Sequence, residues 1–289
     1  MLKAETADVT FSSGAVLIDS SYNGKNIHIQ NGVFSVTVSG AEDVNILFED
    51  VVIDRRYTSD TSSAGLNGKY IENLYETSSS LGWISNGNLI APVCPLMITN
   101  NSSVSVAFRG TNELYAGTNW STVSTSGVYT AKKGGGGFAG IQVDSGSTLT
   151  IVASQGTVSA YGAFYVEGDN SENSSYGYNS PDGSTQNQLA GGAGIGGGVS
   201  YNTSTSASQY YTSGTPGTII INGGIINAYG GHEAAGIGGG LNSAATSSSI
   251  IINGGTVNAY GGRWAAGIGD GDSLQNDWSE SFTDSYSIV

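Results

Sequence analysis

The sequence predicts an all-β chain: a right-handed, single-stranded parallel β-helix with long corner loops. Three observations predict it. One is an internal repeat, the second a set of short apolar runs that alternate with polar residues, and the third a supply of glycines where a chain would have to turn. A period of 20–50 residues marks a solenoid or an array, and missing it misassigns the whole fold.

The repeat comes first. Thr218–Gly240 reads TIIINGGIINAYGGHEAAGIGGG and Ser249–Gly271 reads SIIINGGTVNAYGGRWAAGIGDG, so the offset is 249 − 218 = 31 residues. Asn222 corresponds to Asn253, Tyr229 to Tyr260 and Ile237 to Ile268. Weaker copies lie upstream: LTIVASQGTVSAYG at Leu149–Gly162, GAGIGGG at Gly192–Gly198 and GGFAGI at Gly136–Ile141.

Strands follow from the runs inside each copy. Ile250–Ile252, Thr256–Tyr260 and Ala265–Ile268 are short and rich in Ile, Thr, Val and Tyr, the residues that fit a pleated surface. Val257 and Ala259 alternate with Asn258 and Tyr260, which is the period of a strand. Three short strands per unit, bent at glycines, describe one triangular winding. Stacked windings then pair in parallel about 4.8 Å apart and cover each other's edges.

Composition agrees. Gly supplies 45 of 289 residues, a level that alone would also fit disorder, but 16 Tyr, 7 Phe and 4 Trp supply a core that a disordered chain lacks. Lys plus Arg is 9 and Asp plus Glu is 23, for a net charge of −14. That balance repels phosphate backbones, so nucleic acid is excluded as a partner. No stretch approaches the roughly 18 apolar residues of a membrane helix, so no membrane insertion is expected from this segment. The N-terminus MLKAETADVTF has no apolar signal core, and the chain is expected to be part of a longer protein.

The organisation is read as one β-helix over residues 1–289. Residues 1–133 form irregular windings with loop excursions, 134–272 regular Gly-rich windings, and 273–289 a terminal tail or cap. In VTVSGAEDVNILFEDVVI, residues Val44, Ile46, Phe48 or Val51, and Ile53 are the inward candidates. Excursions are expected at Tyr57–Gly87, Asn112–Lys133, Gly168–Gln188 and Tyr201–Pro216, since insertions in repeat proteins fall in loops. GAGIGGG also resembles a nucleotide-binding loop, but such a loop must open a helix and no helical pattern follows it.

The motif GTIIINGGIINAYGGHEAAGIGGG resembles the repeats of large Gram-positive gut-bacterial surface proteins of the carbohydrate-binding-domain type. Their general form is G-x-I-x-I-x-G-G-x-V-x-A-x-G-G-x-x-A-A-G-I-G-G-G, and PLMITNNSSVSVAFRGTNEL resembles the windings that precede them. The likeness covers roughly two-thirds of the chain and speaks for architecture more than for ligand. It departs at the polar excursions and at Asp270–Asp272, where DGD replaces glycines. It implies an extracellular, bacterial cell-surface location and a glycan or host-surface ligand.

Four constellations carry candidate chemistry. Tyr161, Tyr229 and Tyr260 occupy one repeat position and face outward. They form either a platform for the apolar faces of sugars or a structural ladder. His232, Glu233, Arg263 and Trp264 share a corner, with Glu233 over Trp264 and within reach of Arg263. This is either corner packing or a binding hot spot. Asp270, Asp272 and Asp277 in GDGDSLQND present closely spaced carboxylates, which is either a solvated loop or a single Ca²⁺ site. Asn222 and Asn253 form either a winding-to-winding amide ladder or a ligand contact. Cys94 is expected as a buried thiol, since a nucleophile would need His28 or His232 beside it. Asp50, Asp54, Arg55 and Arg56 in EDVVIDRR read as a strand rim or as a lyase-like acid–base group. No catalytic residue is assigned. The expected function is an adhesin or glycan-binding module. A structural stalk is the alternative, and a polysaccharide lyase or hydrolase the third.

Overall fold

Alternation decides which side chains enter the core. Strand Val44–Glu49 reads VNILFE, and Val44, Ile46 and Phe48 are fully buried. Strand Ile225–Tyr229 reads IINAY and buries Ile226 and Ala228. Each Ile, Val or Phe so buried stabilises the fold by about 1.5–3 kcal/mol relative to exposure. The structure, a computed structural model, describes residues 7–55, 84–85, 88–89, 94–119, 122–125, 128–131, 136–163, 191–201, 211–231, 233–241, 243, 249–262 and 264–272.

Three parallel sheets enclose the core, so the chain is a parallel β-helix. The first face holds Val9–Phe11, Asn26–Gln30, Val44–Glu49, Ser103–Arg109, Thr148–Ile151, Thr218–Ile221 and Ser249–Ile252. The second holds Val52–Asp54, Thr111–Tyr115, Thr157–Tyr161, Ile225–Tyr229 and Thr256–Tyr260. The third holds Gly14–Ile18, Val33–Ser39, Leu96–Thr99, Ile141–Val143, Ile195–Gly196, Ile237–Gly238 and Ile268–Gly269. From Val44 onward the chain visits the faces in that order, once per winding.

The 31-residue offset becomes strict register. Ile219 lies beside Ile250, Ile226 beside Val257 and Ile237 beside Ile268. Inward rows of like residues result, such as Val104, Leu149, Ile219 and Ile250. A neighbouring inward row runs Ile29, Phe48 and Phe108, and the two Phe ring centroids are 5.7 Å apart. At the N-terminal end Phe11 and Tyr22 lie 6.2 Å apart and pack on the core. At the other end Ile252, Val257, Ala259 and Ile268 point inward yet are only partly buried.

Several details differ from the sequence expectation. The excursion placed at Asn112–Lys133 starts later, because Thr111–Tyr115 is a strand of the second face with Asn112 fully buried. Its described residues pair Thr118–Asn119 with Gly136–Gly137 and form a hairpin of Thr122–Thr125 with Val128–Ala131. The excursion placed at Tyr201–Pro216 opens as a hairpin of Val199–Tyr201 with Tyr211–Ser213. The third strand of the last winding is Ile268–Gly269, shorter than the run Ala265–Ile268, because Ala265 and Ala266 are spent on corner hydrogen bonds to Gly262 and Asp270. The first windings, Val9–Phe11 to Gly14–Ile18 and Asn26–Gln30 to Val33–Ser39, use only the first and third faces, which is why no 31-residue period shows there. Excursion Gly168–Gln188 lies outside the described residues, as does Tyr57–Gly87 except for Ile84–Ser85.

Candidate functional site

The second face carries the tyrosines. In Thr157–Tyr161, Ile225–Tyr229 and Thr256–Tyr260 the inward positions alternate between Val or Ile and Ala, so the fifth residue, Tyr, points outward. Tyr161, Tyr229 and Tyr260 are in direct register, as their shared repeat position predicts. A fourth ring joins them: Tyr115 pairs with Tyr161. Centroids are 4.3 Å apart for Tyr115–Tyr161, 4.6 Å for Tyr161–Tyr229 and 5.0 Å for Tyr229–Tyr260, with planes within 8° of parallel. The winding pitch imposes this stacking, so the rings of Tyr161 and Tyr229 spend both faces on neighbouring tyrosines. Tyr260 spends one face on Tyr229 and is 52% exposed.

A polar row runs alongside. Glu113, Ser159, Asn227 and Asn258 are register partners two residues before the tyrosines. Asn258 Nδ2 donates to Asn227 Oδ1 at 2.9 Å, and Asn227 Nδ2 donates to Ser159 Oγ at 3.2 Å. Tyr115 donates its hydroxyl to Glu113 Oε2 at 3.0 Å. Burial first, and then that carboxylate, hold the Tyr115 phenol above its usual range, so it stays protonated. The Asn222–Asn253 pair is a winding-to-winding amide contact, Asn253 Nδ2 donating to Asn222 Oδ1 at 2.7 Å. The Asn227–Asn258 pair shares the 31-residue offset and was legible in the same way, but Tyr115 was not.

The corner between the second and third faces holds Glu233 and Trp264. Ala234 N–H donates to Gly231 O and Ala265 N–H to Gly262 O, each at 3.1 Å, closing two equivalent tight turns. Glu233 and Trp264 occupy the same turn position, each with φ of 60°. Their surroundings differ. Glu233 is buried, because the last winding covers it and Asp272 N–H donates to its carbonyl at 2.9 Å. Glu233 is therefore a buried residue of this corner, not a surface one. Trp264 is 67% exposed. His232 and Arg263 lie outside the described residues, and with them the proposed Glu233–Arg263 contact.

The remaining candidates separate. Asp270 O accepts from Ala266 N–H at 3.2 Å, and Asp277 lies outside the described residues. Among the described residues no group of three or more His, Cys, Asp or Glu side chains is arranged to hold a metal ion. Asp50 caps a corner, its Oδ1 accepting from Thr111 N–H at 3.0 Å. Asp54 stands in register with Tyr115, while Arg55 lies over the Phe34 ring at 5.6 Å; Arg56 is outside the described residues. On the first face His28 Nε2 lies 2.9 Å from Glu49 Oε2, and Arg109 Nη1 lies 2.9 Å from Glu49 Oε1. The Arg109 guanidinium holds the Glu49 carboxyl below the usual carboxylate range.

Cys94 is fully buried, with Sγ 3.0 Å from Leu96 O and 3.2 Å from Ala139 O. Burial pushes its thiol far above the usual range, so thiolate is scarce at any physiological pH. Native protein is expected to resist Ellman's reagent and to label stoichiometrically in guanidinium. Rapid labelling of the folded protein would contradict this burial.

Fold and surface together define a parallel β-helix repeat protein. Residues 219–241 and 250–272 match the family model described as a beta helix repeat. The matched segments are the two strong copies, and their starts differ by 250 − 219 = 31 residues. No curated protein and no solved structure matches the chain.

Proposed function

We propose that this protein is a glycan-binding module displayed on a bacterial cell surface, with the outer side of the second face as its platform. One observation carries the proposal: four tyrosines in register beside a row of amide, hydroxyl and carboxylate side chains. Sugars are recognised by aromatic rings against C–H faces and by planar polar groups against hydroxyls. The stacking narrows where an apolar sugar face can dock. Rings stacked on both sides offer only their edges, so docking falls on the exposed aromatic rings, Tyr260 and, four residues further along the same winding, Trp264.

A glycan array tests the proposal. Tyr260→Ala is expected to weaken binding by about two- to tenfold, since one aromatic stacking contact contributes roughly 0.5–1.5 kcal/mol and 1.4 kcal/mol is tenfold. Tyr229→Ala should leave affinity nearly unchanged and lower stability instead, because both of its faces are occupied by rings. A stalk is the second reading, and the same closed stacking with its winding-to-winding amide bonds favours it. A wild-type protein that binds no glycan on the array would shift the function to the stalk.

A further inference from the structure

We infer that the tyrosine column of the second face is a site of oxidative coupling, where a one-electron oxidant joins rings of neighbouring windings by carbon–carbon bonds; this is independent of the glycan binding proposed above. Geometry is the first observation. Tyr115, Tyr161, Tyr229 and Tyr260 are register partners on successive windings. Their centroids are 4.3, 4.6 and 5.0 Å apart, and their planes are 8°, 4° and 6° from parallel. Rings related by one winding's translation present like carbons to each other, so an ortho carbon of one phenol faces the ortho carbon of the next. Tyrosine χ2 is a soft torsion, so two ring edges can tilt together while the backbone keeps its register. Radicals that free tyrosines would bring together only by diffusion are held here as neighbours, which is the advantage of proximity.

A proton acceptor is the second observation. An oxidised phenol is a strong acid, and Glu113 stands ready for its proton. Tyr115 donates its hydroxyl to Glu113 Oε2 at 3.0 Å, so the carboxylate takes the proton as the ring gives up its electron. Tyr260, 52% exposed, is where an oxidant in solution meets the column, and the stacked rings pass the missing electron along it. Each ring that reacts loses one electron and its hydroxyl proton. Two such radicals form one ortho–ortho bond, and the displaced ortho hydrogen of each ring moves to its oxygen, which restores both phenols. Each bond therefore delivers two electrons to the oxidant and two protons to Glu113 or water.

Composition directs oxidation to the column. The chain has 16 Tyr but 1 Cys and 2 Met. Cys94 is fully buried and Met97 is 4% exposed, so both of these sulfur atoms are shielded from an external oxidant. A chain with one cysteine forms no internal disulfide, and coupled tyrosines supply a covalent tie in its place. The three bonds would close loops of 161 − 115 = 46, 229 − 161 = 68 and 260 − 229 = 31 residues. Such a cross-link stabilises chiefly by restricting the unfolded chain, and more so for longer loops.

Photolysis of ruthenium tris-bipyridyl with persulfate, in a dilute solution of the full chain, supplies the one-electron oxidant. The expected product is a monomer lighter by two hydrogen atoms per bond, with dityrosine fluorescence and a higher urea midpoint. Digestion at Asp and Glu, which separates the four rings at Asp144, Glu167 and Glu233, should show bonds between register partners. Tyr229→Phe keeps the stack and should leave only the Tyr115–Tyr161 bond. Glu113→Gln should lower the yield of that bond several-fold and leave Tyr229–Tyr260 unchanged. Bonds that form equally in urea-unfolded protein, or as often at Tyr22, whose ring neighbour is Phe11, overturn the proposal. Coupling only between molecules, or oxygen addition without coupling, overturns it too. An unchanged Tyr115–Tyr161 yield in Glu113→Gln overturns the part given to Glu113.

Discussion

Gly238→Ala is expected to destabilise the protein by on the order of 4 kcal/mol and to detach its last winding. Gly196, Gly238 and Gly269 form a column in register on the third face, with φ of 139°, 134° and 140°. An L side chain at such φ is strained by about 1–3 kcal/mol before any contact is counted. A Cβ on Gly238 would also run into the carbonyl oxygen of Gly269. That obstacle is backbone, so no rotamer relieves it and the neighbouring winding has to move, which adds an overpacking cost of about 1–3 kcal/mol. Solenoid stability is nearly a sum of winding and interface terms, so the damage stays local. Hydrogen exchange should show Ser249–Ile252 and Thr256–Tyr260 losing protection while Val44–Glu49 keeps it. Gly254→Ala is the control: its φ is not left-handed, and the nearest atom to an added Cβ is Asn222 O at 3.4 Å. Equal urea midpoints for the two variants would refute this account of the column.

Where the repeat kept its length, register could be read directly from spacing. Asn222 and Asn253, or Tyr229 and Tyr260, are 31 residues apart in the chain, and the structure makes them neighbours. Spacing failed wherever a corner was lengthened. Tyr115 and Tyr161 are 161 − 115 = 46 residues apart and yet stack as closely as any pair in the ladder. The shared feature was a small or aliphatic residue followed by Tyr, in NELY as in VSAY and INAY, but the polar Asn112 broke the alternation and period alone could not find it. Exposure was illegible for another reason. Glu233 and Trp264 hold equivalent positions in sequence and in backbone, and only the presence of a covering winding separates a buried residue from an exposed one.

The ladder also shows how one arrangement serves both structure and surface. Parallel windings repeat at the distance at which flat rings and amides stack, so any outward Tyr or Asn kept in register bonds along the axis. Those contacts stabilise the solenoid and consume the groups that a ligand would use. Ligand contact therefore falls on the rings that stay exposed, Tyr260 and Trp264.

Asn112→Val is expected to destabilise by about 2–4 kcal/mol, against what hydrophobicity alone predicts. Asn112 sits in an inward row whose next members are Val158, Ile226 and Val257, and it is fully buried. Valine is close to asparagine in size and would match its neighbours, so an area argument expects a gain. The hydrogen bonds reverse the sign. Asn112 Oδ1 accepts from Val51 N–H at 3.1 Å, and Nδ2 donates to Arg109 O at 3.0 Å and to Thr157 O at 3.2 Å. One side chain thereby joins three successive windings at the corner between the first and second faces. Arg109 O also accepts from Asp50 N–H, so it keeps a partner when the amide is removed. Val51 N–H does not keep the one that Asn112 supplied, and a buried donor left unmade costs about 1–3 kcal/mol by itself. Loss of the two donated bonds adds to that, while the valine methyl groups return about 1 kcal/mol. Urea unfolding of Asn112→Val and of Val158→Asn should therefore both show losses, the first from a missing partner and the second from a buried amide placed between Ile226 and an Asn112 whose own amide is already spent. A stabilised Asn112→Val would mean that the row, and not the corner, governs this position.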